Sequence, residues 1–277
     1  MRRARRWTAT ACIVSALTIS VAQPARALTI NLFDGLTNSS IRNNLSMQSG
    51  VSPSDFATLF TIVDAAATYW EDIIHDSGFV NIGIGFFRPG VFQNGTLGVA
   101  LIPPHVPGIG GIALAPFSLE PDWFVDSTPF DNSEYASAFE TSADLGGGLL
   151  NTGVGFGGGP DLDMFSVALH EIGHVLGAGL PGGGTFGLTV DDPLPFAGSV
   201  LPYRDGHLML PDALMFPALD SFERHLVSDA DVLFVAQQRG FTDVTLRGSP
   251  VPEPASLFLM ATGFAVATAR RRLNRRS

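Results

Sequence analysis

Lysine is absent from this chain, and all 16 of its basic residues are Arg. Ten of them lie in the two tails, five between Arg2 and Arg26 and five between Arg270 and Arg276. The stretch 28–250 keeps six Arg against 25 Asp and Glu. A body so short of positive charge has no patch for phosphates, which argues against nucleic-acid binding. The acidic surplus serves solubility, and the alternative reading is a set of Asp-lined cation sites, Ca2+ among them. Cysteine occurs once, as Cys12, close to the N-terminus. The remaining chain therefore has no disulfide, no cysteine-based latency and no Cys ligand for a metal. Tyr and Trp number three each against 21 Phe, so the core is expected to be Phe-rich.

The two ends read as addresses. Arg-rich Met1–Arg6, the apolar stretch near Ala9–Ala22 and Ala25-Arg26-Ala27 have the order of a secretory signal peptide, so residues 1–27 are expected to be removed. At the other end, Val251-Pro252-Glu253-Pro254 precedes an uncharged run, Ala255 to Ala269, and then Arg270-Arg271-Arg272-Leu273-Asn274-Arg275-Arg276. The run is short for a membrane span, but Arg side chains can snorkel to extend it. Residues 251–277 thus resemble the PEP-CTERM sorting signal of bacterial exported proteins, with a short transmembrane helix. The resemblance implies transient inner-membrane insertion, recognition by an exosortase-type sorting enzyme, and delivery to the cell surface or extracellular matrix.

Residues 28–250 form the remaining domain. Leu28–Phe33 reads as a first strand. Ser52-Pro53-Ser54-Asp55 is a helix start, and apolar residues at helical spacing carry that helix to about His75. Strands are expected at Val80–Phe87, Gly95–Ile102 and Gly111–Ala115. Residues 116–160 read as irregular, ending in the Gly-rich run LGGGLLNTGVGFGGGP. No GK[ST] follows that run, and Asp161 and Asp163 would repel an anion, so it reads as a flexible connection rather than a phosphate loop. Asp161 or Asp163 then caps a helix ending near Gly177–Gly179. A loop covers 180–213, and a last helix runs from the capping box at Ser228 and Asp231 to Arg239-Gly240.

The chemistry lies in His170-Glu171-Ile172-Gly173-His174, an HExxH motif. Residues i and i+4 share a helix face, so both imidazoles can reach one Zn2+. Zinc acidifies water and polarises a carbonyl, and Glu171 stands beside the first ligand as general base. Chance matches to this pattern are expected roughly 0.003 times in such a chain, so coincidence explains it poorly.

Ser166–Gly179 (SVALHEIGHVLGAG) resembles the active-site helix of the metzincin clan of zinc proteases, its matrixin-like members in particular. Asp212-Ala213-Leu214-Met215-Phe216-Pro217 resembles the clan's Met-turn, with Met215 beneath the metal. The resemblance implies an α+β fold: a mixed twisted sheet, an upstream helix, the HExxH helix, the Met-turn and a C-terminal helix. It departs at Leu180, which occupies the position of the clan's third His and cannot bind zinc. His207 precedes Met215 by eight residues and fits the third-ligand role best. His225, or a carboxylate from Asp191, Asp192 or Asp205, remains the alternative. His75 and His105 read as surface residues. Asp205 is a candidate to orient His207, and Tyr203 to stabilise an oxyanion.

Two functions are compatible with these residues. One is a secreted zinc endopeptidase acting on protein or peptide substrates. The other is a non-catalytic surface or exopolysaccharide-matrix protein with a metal-stabilised, protease-like fold. Glu171 favours the enzyme, because a structural zinc needs no general base.

Overall fold

The computed structural model describes residues 28–93, 95–102, 109–120, 122–178, 187–191 and 196–247. Both tails, His105, Leu180 and Asp192 lie outside the described residues. The fold is mixed α+β, with four α-helices and several small sheets among the described residues. The helices are α1 (Ser39–Asn44), α2 (Pro53–Glu71), α3 (Met164–Leu176) and α4 (Asp229–Arg239). The longer strands are β1 (Leu28–Asp34), β2 (Gly78–Phe86), β3 (Gly98–Leu101) and β4 (Ile109–Leu114). Short β5 (Trp123–Phe124) is followed by the hairpin β6 (Ser137–Asp144) and β7 (Leu149–Gly157), then by β8 (Leu162–Asp163). Two-residue strands follow: β9 (Leu188–Thr189), β10 (Val200–Leu201), β11 (Tyr203–Arg204) and β12 (His207–Leu208). β13 (Glu223–Leu226) completes the set.

The first sheet has the order β1-β2-β4-β3. β1, β2 and β4 run parallel, and β3 is an antiparallel edge strand on β4. On β2, Val80, Ile82, Ile84 and Phe86 are buried on one face by the two-residue period of the strand. The opposite face carries Gly83, where a Cβ would come within 2.9 Å of Ile41 on α1. The alternation of Ile and Gly in VNIGIG thus lets a helix lie close on the second face.

Helix α2 starts as its sequence dictates: the Ser52 hydroxyl accepts a hydrogen bond from the Asp55 N–H, and Pro53 takes the first helical position. It stops at Glu71, short of the expected His75. The returning chain takes the backbone groups that would have extended it. The Thr245 N–H donates to the Ile73 carbonyl, and the His75 N–H donates to the Asp243 carbonyl. Trp70, fully buried, donates its indole N–H to the Leu169 carbonyl and fixes α2 against α3.

Every residue of α3 is buried. Its N-cap is Asp163, whose carboxylate accepts from the Ser166 N–H and hydroxyl. Arg224 on β13 donates to both oxygens of that carboxylate, and also to Asp126, the Pro129 carbonyl and Asn132. The guanidinium and both carboxylates are buried, so this is a desolvated clamp between the start of α3 and the 126–132 loop. Sequence reading did not anticipate it.

The Gly-rich run is the main correction. Residues 149–157 are not a flexible connection but the central strand of an antiparallel sheet, β13-β7-β6. Its glycines are required by close approach. A Cβ on Gly155 would meet the Arg224 carbonyl and come within 2.5 Å of Phe139, and one on Gly153 would meet Asp212. Gly177 and Gly240 cap the ends of α3 and α4 as expected, their N–H groups donating to the Gly173 and Ala236 carbonyls, with Gly240 in the left-handed region at φ 81°. Among the described residues, no helix is long and apolar enough to cross a membrane.

Candidate metal centre

Helical spacing places His170 and His174 on one face of α3, with their Nε2 atoms 3.0 Å apart. The third imidazole comes from a tight hairpin. Asp205 and Gly206 both have positive φ, 48° and 86°, and join β11 to β12, so His207 faces α3. His207 Nε2 lies 3.2 Å from His174 Nε2. Among the described residues this trio is the one group of three or more His, Cys, Asp or Glu able to hold a metal.

The opposite ring nitrogens decide what the trio can bind. Nδ1 of His170 donates to the Leu214 carbonyl at 2.7 Å, Nδ1 of His174 to the Ala178 carbonyl at 2.9 Å, and Nδ1 of His207 to the Asp205 carbonyl at 3.0 Å. A carbonyl only accepts, so each Nδ1 carries the proton and each neutral ring keeps a lone pair on Nε2. Burial lowers the His170 pKa to about 4, and also lowers His174 and His207, with the neighbouring imidazoles adding to the effect at His170 and His174. Three acceptor nitrogens, all within 4.8 Å of one another, cannot satisfy one another. A cation preferring nitrogen ligands fits them, and three His with a further coordination position open is the donor set of a catalytic zinc.

The other candidates lie elsewhere. His225 is buried against Phe139, with Nε2 3.1 Å from Glu223 and Nδ1 donating to the Asp212 carbonyl at 3.3 Å. The Asp205 carboxylate is exposed and pairs with Arg204, so Asp205 orients His207 through its backbone carbonyl rather than its side chain. Asp191 pairs with Gln237. Tyr203 packs in the core on Phe234, away from the expected oxyanion role. His75 sits at the domain's surface, 2.7 Å from the Thr245 hydroxyl.

Met215 lies fully buried under the trio's helix, and a Cβ on Gly173 would stand 2.5 Å from its sulfur. The turn holding it is fixed from α4. The Leu214 and Met215 N–H groups both donate to the Asp231 carboxylate, which also completes the capping box with Ser228. Asp231 was legible as a helix cap, but its hold on the turn beneath the imidazoles was not.

Glu171 is 5 % exposed, and burial pushes its pKa up to about 8. It lies against the edge strand: a Cβ on Gly98 would come within 2.5 Å of its carboxylate. Gly98, Glu171 and His207 form a waist between two cavities. One, of about 370 Å³, is lined by Thr96, Leu97, Val167 and Phe216–Leu219. The other, of about 330 Å³, is lined by Val99, Ala100, Ile102, His174 and the Asp205-Gly206 turn. Strand β3 runs beside both.

Comparison with known proteins identifies the C-terminal tail. Residues 250–272 match the PEP-CTERM protein-sorting motif. No curated protein and no solved structure matches the chain. The motif marks an exported protein, sorted to the cell surface through recognition by an exosortase-type enzyme.

Proposed function

We propose that this chain is an exported, metzincin-like zinc endopeptidase in which His170, His174 and His207 hold the metal and Glu171 is the general base. The observation that carries the reading is the convergence of three lone-pair-bearing imidazole nitrogens beside a buried Glu, in a cleft flanked by a sheet edge. Zinc held there supplies Lewis acidity, making water ionisable near neutral pH and polarising a carbonyl oxygen.

The chain's own residues perform the remaining tasks. The Glu171 carboxylate accepts a proton from the attacking water and returns it to the leaving amine. Burial alone would keep this carboxyl protonated at neutral pH; a neighbouring cation favours its ionised form. The three carbonyls on Nδ1 hold the rings in one tautomer and orientation. On its outer side β3 has no strand partner among the described residues, so its backbone can pair with an extended peptide while side chains enter the two cavities. The absence of a side chain at Gly98 brings that peptide close to Glu171.

Chelator treatment followed by zinc titration tests this. Casein cleavage is expected to vanish with chelation and to return at about one zinc per chain. The match of residues 250–272 supports a second reading, a non-catalytic surface or matrix protein whose metal only stabilises the fold. In that case chelation lowers thermal stability and no peptide is cut at any zinc level.

A further inference from the structure

Beside the C-terminal end of α2, the domain carries a groove of about 260 Å³ that the proposed catalysis does not use. Its walls include Tyr69, Ile73, Phe130, Val227, Val232 and Arg247. The Tyr69 and Phe130 rings are stacked, with 6° between their planes, and Phe130 is 58 % exposed. An exposed Phe130 beside a half-buried Tyr69 and aliphatic walls is the kind of surface that proline-rich, extended segments recognise.

The last described residues lead the chain to this groove. Val244 bridges to Ile74, the Asp76 carboxylate accepts the Thr242 and Asp243 N–H groups, and Leu246 is buried. Arg247 is fixed at both ends: its N–H donates to Asp229, and its guanidinium donates to the Tyr69 hydroxyl at 2.8 Å. The chain therefore leaves the fold from the groove's own wall. Pro250-Val251-Pro252-Glu253-Pro254 begins three residues later, where the sorting motif also begins. Four Cα steps carry Arg247 to Val251, at most about 14 Å.

We propose that the groove binds this segment of the same chain, with Val251 and its flanking prolines on the Tyr69–Phe130 pair. Three of the five residues are Pro, so little backbone freedom is lost on docking. So short a tether gives an effective concentration in the millimolar range, and weak intrinsic contacts suffice. The docked segment would hold the start of the sorting motif at a fixed place on the folded domain. This proposal is independent of the zinc reading.

The test is a methyl NMR spectrum of the full chain in detergent micelles, with labelled Val. Expected are Val251 methyl signals displaced upfield by ring currents, with cross-relaxation to the Tyr69 and Phe130 rings. Both features are lost in Phe130→Ser and in Pro252→Gly, the latter lying outside the described residues. Val251 methyls at unstructured positions in the wild type, or in contact with detergent chains instead of these rings, would overturn the proposal.

Discussion

His170 donates its Nδ1 proton to the carbonyl oxygen of Leu214, 2.7 Å away, and so the lone pair on Nε2, which faces His174, is set by the backbone of a turn 44 residues later. The same Leu214 donates its N–H to Asp231. The carboxylate that caps α4 thereby holds the turn that orients His170. Replacing Asp231 by Ala leaves the Leu214, Met215 and Ser228 donors buried without this acceptor. Each such loss costs about 1–3 kcal/mol, so unfolding free energy is expected to drop by several kcal/mol, and zinc affinity with it. Urea titration and zinc binding measured on the same variant check both; an unchanged midpoint contradicts the account.

His207→Ala removes one of the three proposed ligands from a hairpin that most of the core does not rest on. Zinc content is expected to fall from about one per chain to near zero, while the far-ultraviolet spectrum is retained. His225→Ala, whose side chain faces Glu223 and Asp212, keeps its zinc. Metal analysis of the pair distinguishes His207 from the alternative; the reverse pattern would exchange their roles.

Gly98 is the position where the sheet edge meets Glu171. A Cβ there would approach Glu171 Oε1 at 2.5 Å and Cγ at 2.7 Å, so the whole end of the side chain must move, not its tip alone. Gly98→Ala is expected to lower kcat/KM at least tenfold, about 1.4 kcal/mol of transition-state stabilisation, at unchanged zinc content. Wild-type kinetics in this variant would show that β3 does not constrain Glu171.

In the metal-free protein the buried imidazoles weaken the fold in mild acid, against an opposite contribution from Glu171, whose pKa of about 8 favours the fold as pH falls. His170 has a folded pKa of about 4 against 6.5 for an ordinary His. Below pH 6.5 the unfolded chain takes up a proton that the folded chain refuses. Stability is therefore lost as pH falls from 6.5 toward 4, by roughly 3 kcal/mol from this residue. His174 and His207 shift in the same direction. Urea midpoints of chelated wild type and chelated His170→Gln at pH 7 and pH 4.5 isolate the His170 part, the variant being less destabilised by acid than the wild type. Equal losses in both proteins would locate the acid sensitivity elsewhere.

What could be read in advance was what short-range chemistry determines. Ser52-Pro53, Asp163 and the Ser228/Asp231 box mark helix starts within one turn, and the i, i+4 spacing alone brings His170 and His174 together. The Asp205-Gly206 turn that delivers His207 is also legible, since a dipeptide of this kind favours a two-residue hairpin, although the Gly- and Pro-rich stretch around it reads as loop. Other features depend on partners distant in sequence. β7 looked like a linker because its glycines matter only where Phe139, Arg224 and Asp212 press on them. The early end of α2 depends on residues 243–245 returning to pair with it. Arg224 is one of six Arg in the body, and nothing near it in sequence reveals the two buried carboxylates it joins.

The most direct measurement is peptide-bond cleavage by the purified exported protein and its Glu171→Gln variant, with the zinc content of both determined. The account predicts about one zinc in each, and a kcat for Glu171→Gln lower by roughly 10²–10⁴-fold, the range of general acid–base catalysis. If both bind zinc and a broad peptide library is cut by neither, or equally by both, Glu171 is not a catalytic base and the endopeptidase reading is wrong.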